Sequence, residues 1–359
     1  MLKDVPTGVN RLLTGFGRQP SGKRVNLALQ GGGAHGAFTW GVLDYLLEDG
    51  RIGFAGVSGA SAGAVNAVML ADGLARGGKN EARKRLAEFW RAASIGGQLP
   101  AAQRAVLDRV LSMFPMGGSP MQLFVDTVSR LMSPYDFNPL NINPLKDLIE
   151  RFVDFDAIRR STDLEIFVSA TNVHSGRLRV FRREEVTADV VMASAALPHM
   201  FRAVEIDGQP YWDGGFTGNP AMLPLIESNP DDDLLLVQIA PLAHDDTPTS
   251  THDILSRVNE ISFSSSLAAE LRALEYVSRH MSRSNGKGPN RKQDGLNIHR
   301  IVLEGFEKKL GSGTRLKTDY DFFALLHRAG RRAARRFLDR HFEDIGERST
   351  FDLVQETAA

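Results

Sequence analysis

Gly59-Ala60-Ser61-Ala62-Gly63 sets a serine among small residues, directly after the apolar run 54–57 and before Val65, Ala67, Val68 and Leu70. A strand, a tight turn and a helix are the setting that a G-x-S-x-G nucleophile turn requires. Small neighbours let such a turn close, and a serine at its tip sits in strained backbone at the positive end of a helix. A serine hydroxyl needs a base. Nine histidines are present, and His174, His199 and His244 follow the serine, but none lies in a glycine-rich loop that would aim it at Ser61. Asp213 is set differently, between Tyr211-Trp212 and Gly214-Gly215. A carboxylate there would be partly desolvated, which raises its proton affinity and makes it a better base. Taken alone, Asp213 reads as an aspartate capping a turn before Gly-Gly.

The run Gly31-Gly32-Gly33-Ala34-His35-Gly36 has two readings. Gly31, Gly33 and Gly36 satisfy G-x-G-x-x-G between a strand and a helix, the fingerprint of dinucleotide binding. That reading needs a carboxylate at the end of the next strand, which here runs Val57-Ser58-Gly59-Ala60. The other reading is an anion cradle, in which successive backbone N–H groups converge on one oxyanion at a helix N-terminus. If Ser61 attacks a carbonyl from the adjacent strand, its tetrahedral intermediate needs such a cradle. The second reading joins the two motifs in one site and is preferred.

The elements that must carry these residues follow from periodicity. A strand is expected at 25–30, then a helix with Phe38, Val42, Leu43, Leu46 and Leu47 on one face and Gly50 as its stop. With the strand before Ser61 this makes a parallel βαβ unit, so the fold class is α/β. Helices are expected at 82–93, 101–114 and 121–132, and another starting at Asn143 or Pro144. Met113, Phe114, Met116, Met121 and Phe124 surround a Gly-Gly turn and read either as core or as an apolar flap. A strand at 164–172 turns through His174-Ser175-Gly176 into a hairpin with 177–181. A helix at 184–196, short strands at 204–206 and 211–212, and a buried parallel strand at 234–239 come next. The rest is a helix at 254–281, a loop at 282–294, a strand at 298–303 and a helix at 320–341. That last helix is basic, with Arg328, Arg331, Arg332, Arg335, Arg336 and Arg340. It reads as a solvated face, or as a contact for an anionic membrane surface. There is no internal repeat. Residues 1–24 read as a flexible basic leader, 25–241 as the catalytic core and 242–359 as a mostly helical part packed on it.

Composition narrows the function classes. Of 359 residues, 42% are hydrophobic and 24% charged, as in ordinary globular proteins. Lys+Arg and Asp+Glu balance at 43 each, so no global field points to nucleic acid. With no cysteine, disulfides, thiolate catalysis and cysteine zinc sites are excluded. The first residues hold no apolar core of signal-peptide length, and glycines, His35 and Asp44 argue against a membrane span at 25–47. A cytoplasmic protein, peripheral at membranes, is expected.

The set LALQGGGAHGAFTWGVLDYLLEDG, GASAG and DGG, with ASAALPHMFRAVEIDGQPYWDGGFTGNP, resembles the patatin-like phospholipase family over about 25–241. Three motifs in this order and at these separations are specific together, though each is weak alone. The resemblance implies a three-layer α/β/α fold with a mostly parallel sheet and helical insertions, and a Ser–Asp dyad in place of a triad. By motif match Ser61 is the nucleophile, Asp213 its base, and the amides of Gly32, Gly33 and Ala34 the oxyanion hole. Gly31, His35, Gly36, Gly59, Gly63, Gly214 and Gly215 complete the motifs. His35 stands where many relatives carry Arg or Lys. The implied activity is hydrolysis of phospholipid or other acyl esters through an acyl-enzyme, with no metal or cofactor. A thioesterase or polyester depolymerase on the same dyad, or a non-catalytic lipid-binding protein, is the alternative.

Overall fold

The computed structural model describes residues 22–94, 133–138, 141, 143–198, 200–241, 247–284, 296–305, 314–315 and 317–352. The leader up to residue 21, the helices expected at 101–114 and 121–132, the apolar flap around Met113 to Phe124, His199 and His244 lie outside the described residues.

The chain opens with β1 (Lys23–Leu29), α1 (Gly36–Asp49), β2 (Ile52–Gly59) and α2 (Ala62–Ala92). β1 starts two residues before the strand expected from its apolar run, because Lys23 is anchored by tertiary contacts. Its Nζ donates to the carbonyls of Glu343 at 2.9 Å and Ile345 at 2.7 Å. α1 ends where expected, with Gly50 in the left-handed conformation and its N–H on the Leu46 carbonyl at 3.1 Å. α2 runs through the boundary expected near residue 80. The only break is a kink at Gly78 (φ 73) among the described residues, so the helix expected at 82–93 is its second half.

Next come α3 (Pro134–Phe137), α4 (Pro144–Phe152), α5 (Phe155–Arg160), β3 (Glu165–Asn172), β4 (Leu178–Arg182), α6 (Ala188–Ser194), β5 (Val204–Ile206) and β6 (Gln209–Asp213). α4 begins at Pro144 with Asn143 accepting from the Lys146 N–H, as its cap chemistry predicts. The helix expected at 184–196 is shorter. Residues 183–185 form a 3-10 turn, and Thr187, extended at φ −136, restarts the chain as the cap of α6. The chain closes with α7 (Leu223–Ser228), β7 (Asp233–Gln238), α8 (Thr251–Ser284), β8 (Ile298–Val302) and α9 (Tyr320–His341).

Among the described residues the strands form one sheet of eight, ordered β5-β6-β3-β2-β1-β7-β8, with β4 also on β3. From β3 to β8 the pairs are parallel, while β4, β5 and β6 pair antiparallel. Side chains alternate between two cores, as the pleat requires. Leu27, Leu29, Ile166, Val168, Leu235 and Val237 face one core with α1, α2 and α9. Ala28, Phe167, Leu234 and Leu236 face the other with Met222, Leu225, Leu267 and Leu271. Helix layers on both faces of a mixed sheet make the three-layer α/β/α architecture.

α9 lies along α1. A Cβ on Gly41 would stand 2.0 Å from the His327 carbonyl oxygen, and one on Gly330 2.1 Å from that of Phe38. The helices touch backbone to backbone. Asp44 of α1 takes Arg83 Nε at 2.7 Å and His327 Nε2 at 3.2 Å, and also Arg331. Burial alone would raise its pKa, but these bonds hold its carboxyl well below the usual range. Contacts run in step along the pair, His35 against Phe322, Trp40 against His327 and Asp44 against Arg331. The start of α9 therefore sits beside the start of α1, at the C-terminal edge of the parallel strands.

Candidate active site

Ser61 occupies the turn between β2 and α2 with φ 53 and ψ −125, a conformation that side-chain-bearing residues rarely adopt. The strain is held by backbone bonds. Its N–H donates to the Ser194 carbonyl at 3.1 Å and to Ser194 Oγ at 2.9 Å, at the end of α6. Glycines permit the crossing: a Cβ on Gly59 would lie 2.4 Å from the Gly63 carbonyl, and one on Gly63 2.1 Å from the Leu29 carbonyl oxygen. The turn thus presses on the exit of β1, which leads into the other glycine motif.

β3 brings Asp213 to the same place. Val168 of β3 is in register with Gly59, and Ala170, two residues on, is in register with Asp213. Thr171 Oγ1 donates to the Asp213 carbonyl at 2.8 Å, and the Asp213 N–H donates to the Ala196 carbonyl at 2.9 Å. The tail of α6 therefore ties down both residues, one through Ser194 and the other through Ala196. Gly214 lies so close to Ser169 that a Cβ would stand 2.1 Å from its carbonyl oxygen.

Asp213 is wholly buried and Ser61 is 8% exposed. Asp213 Oδ1 accepts the Gly215 N–H at 2.7 Å. Its Oδ2 is buried with no partner of full hydrogen-bond geometry, and the Ser61 hydroxyl is close enough to stabilise its charge. Burial pushes the carboxyl up to about 7 against the opposing pull of the Gly215 N–H, the Ser61 hydroxyl and the Arg315 charge. Such a group gains and releases a proton near neutrality.

The glycine loop leaves β1 beside this pair. A Cβ on Gly31 would stand 2.5 Å from the Ala60 carbonyl oxygen and 2.8 Å from Ser61 Cβ, so the loop abuts the serine. Its N–H donates to Asn219 Oδ1 at 2.7 Å, which turns the following amides away from that bond. Gly33 has φ +58 and starts a 3-10 turn over 33–35. The N–H groups of Gly32, Gly33 and Ala34 make no protein hydrogen bond among the described residues. They are the orphan donors of a helical N-terminus, which suit an anion. Gly36 opens α1 against Ala62, where a Cβ would lie 2.6 Å from Ala62 Cβ.

His35 is buried, and its Nε2 pairs with Thr314 Oγ1 at 2.8 Å. Burial first, and then the Arg315 charge, pull its pKa down to about 3, so the ring is neutral at ordinary pH. His174 lies exposed in the β3–β4 turn.

Sequence reading missed several positioning residues. Asn219 was legible only as part of the GNP tail of its motif; it holds Gly31 and donates from Nδ2 to the Phe263 carbonyl at 3.1 Å. Gln30 Oε1 accepts the N–H groups of Ile239 at 2.7 Å and Ala240 at 2.9 Å, locking β1 to β7 at the loop. Thr314 and Arg315 carry no motif at all.

Among the described residues no helix is long and apolar enough to cross a membrane. No curated protein gives a significant match to the chain. Among solved structures the chain is similar to VipD from Legionella pneumophila, with 17% identity and a TM-score of 0.40, covering 90% of this chain and 67% of that one. It is also similar to ExoU, solved with SpcU from the type III secretion system of Pseudomonas aeruginosa, with 16% identity and a TM-score of 0.34. That match covers 89% of this chain, which spans about half of the other (53%). The patatin-like phospholipase profile matches residues 27–226, from β1 into α7 and across Ser61 and Asp213. That is more than half of the chain, and the chain belongs to the patatin-like phospholipase family.

Proposed function

We propose that this protein is a lipid acyl hydrolase that cleaves acyl esters through Ser61 and Asp213. The observation that carries this reading is the buried, unsatisfied Asp213 Oδ2 facing a serine held at φ 53. Asp213 takes the hydroxyl proton as Ser61 Oγ bonds to the carbonyl carbon. The carbonyl oxygen, now an oxyanion, accepts from the amides of Gly32, Gly33 and Ala34. When the ester C–O bond breaks, the alcohol leaves with the proton from Asp213. A water molecule then gives its proton to Asp213 and its oxygen to the acyl carbon, and the fatty acid is released as Ser61 regains its hydrogen.

The scheme needs no metal, so dialysis against EDTA leaves ester hydrolysis unchanged. It is tested with p-nitrophenyl butyrate, micellar phospholipid and a serine-directed phosphonate. Wild type hydrolyses both substrates and is labelled on Ser61, whereas S61A does neither. Near-normal hydrolysis by S61A removes Ser61 from the mechanism. For membrane contact, α9 offers Arg328, Arg332 and Arg340, exposed on the face away from α1. Arg331, Arg335 and Arg336 are engaged with Asp44, Asp339 and Glu304.

A further inference from the structure

Among the described residues Arg315 is a cation of this site that the catalytic scheme does not use. It arrives from the segment just before α9, and its backbone closes over the glycine loop. A Cβ on Gly33 would stand 2.4 Å from the Arg315 carbonyl oxygen and 3.5 Å from Arg315 Cβ. Its neighbour Thr314 is tied to His35 at 2.8 Å. The seam between α1 and α9 fixes this placement, since the start of α9 is held beside the start of α1.

With its Cβ over Gly33, the Arg315 side chain starts within reach of the loop amides, and its charge pulls down the pKa of both Asp213 and His35. Arg315 is half-buried, and among the described residues Glu260 and Asp213 act on it through charge. Glu260 is itself paired with Arg257 at 3.5 Å. A guanidinium has five donors in a planar fork that matches phosphate oxygens two at a time. The glycine loop cannot supply a cation of its own, because His35 is buried and neutral.

We propose that Arg315 is the specificity-determining residue of this site, binding the phosphate of a glycerophospholipid whose acyl ester lies at Ser61. This rests on the reading of Ser61 as nucleophile. Arg315 then sets the preference for esters with a phosphate near the scissile bond over neutral glycerides of the same chain length.

The experiment compares wild type, R315K and R315Q on dioleoyl phosphatidylglycerol and dioleoylglycerol in the same detergent micelles, with p-nitrophenyl butyrate as a soluble neutral ester. R315Q is expected to lower the ratio of kcat/KM for phosphatidylglycerol over dioleoylglycerol at least tenfold, mainly through KM. R315K retains part of the ratio, having charge without the fork. Inorganic phosphate and glycerol 3-phosphate are then added as probes. Both inhibit wild type competitively and R315Q at least tenfold more weakly, and glycerol 3-phosphate binding more tightly than phosphate marks the lipid backbone as part of the ligand. An unchanged ratio in R315Q overturns the proposal. So does an equal fall on all three esters, which assigns Arg315 to the oxyanion or to packing. Failure of wild type to hydrolyse even p-nitrophenyl butyrate overturns instead the reading of Ser61.

Discussion

The two sides of the site are built by different means. Ser61 and Asp213 are framed by neighbours of the same sheet: β3 sets their register, and the end of α6 and the residues just after it take an N–H from each. Their side lies wholly within the stretch shared with the family. The glycine loop is framed partly from outside that stretch, although Asn219 inside it holds Gly31. Its roof is Thr314 and Arg315, and the His35–Thr314 contact spans 279 residues of sequence. The geometry of the first side is thus set by the sheet, while the surroundings of the glycine loop depend also on the segment that leads into α9. This is a physical reason for one fold to serve different acyl esters.

The largest effect separates the reacting pair from everything that positions it. Ser61→Ala and Asp213→Asn should each lower turnover by about 10³-fold or more, and the double variant should be no worse than either single. A double variant that falls by the product of the two would show that the residues act independently.

Asn219→Ala tests the joint between the two sides. It leaves the buried Gly31 N–H without its acceptor, a loss of about 1–3 kcal/mol. The shifted loop should reduce kcat by about 10–100-fold, with KM for a small ester nearly constant. A melt lowered with kcat intact would mean that the amides hold their place without Asn219.

The third test uses pH. With its pKa raised to about 7, Asp213 must lose a proton to act as base, so kcat/KM should fall as pH drops through about 7. A limb near 4 would remove Asp213 as the desolvated base. Stability runs the other way. A carboxyl whose folded pKa is raised favours the folded state below its unfolded pKa, and that contribution is lost as pH rises through about 7. Asp213→Asn should therefore be more stable than wild type at pH 8, by on the order of a few kcal/mol, with the gain fading towards pH 4. Glu270 provides the contrast. Burial also pushes it up to about 7, against the N–H groups of Met222 and Leu223. It accepts from Met222 at 2.6 Å, at the start of α7, and not from the Ser61 turn. Glu270→Gln should change the pH dependence of the melt and leave the acid limb of activity where it was.

The smallest effect concerns the seam that carries the roof. Arg331→Ala removes contacts to Asp44 and Glu48, while Arg83 and His327 still hold Asp44. The loss should be about 1 kcal/mol, read as a small fall in melting temperature with kcat within twofold. A large fall in kcat would show that the roof is far more loosely held than the backbone contact of Gly41 and Gly330 implies.

What the sequence determined by itself was local. Ser61 with Gly59 and Gly63, the loop 31–36 and Asp213 before Gly214-Gly215 are readable because each is a turn whose shape depends on adjacent small residues. The strands and α1 are readable because their apolar period matches the face they bury, as with Leu27 and Leu29 against Ala28. α9 was delimited from Tyr320 to His341 for the same reason. Where local propensity competed with packing, the reading slipped: α2 continues past residue 80, and Lys23 joins β1 because of acceptors more than 300 residues away. Only the tertiary structure shows how Asp213 comes beside Ser61, since the register of β3 joins segments with no shared periodicity. It also decided the surroundings of the glycine loop. Asn219, Thr314 and Arg315 act through single side chains or a backbone approach across long separations, and burial is the largest cause that keeps His35 neutral and raises the Asp213 carboxyl. Burial is a property of the packed chain, so residue type and spacing along the sequence do not encode it.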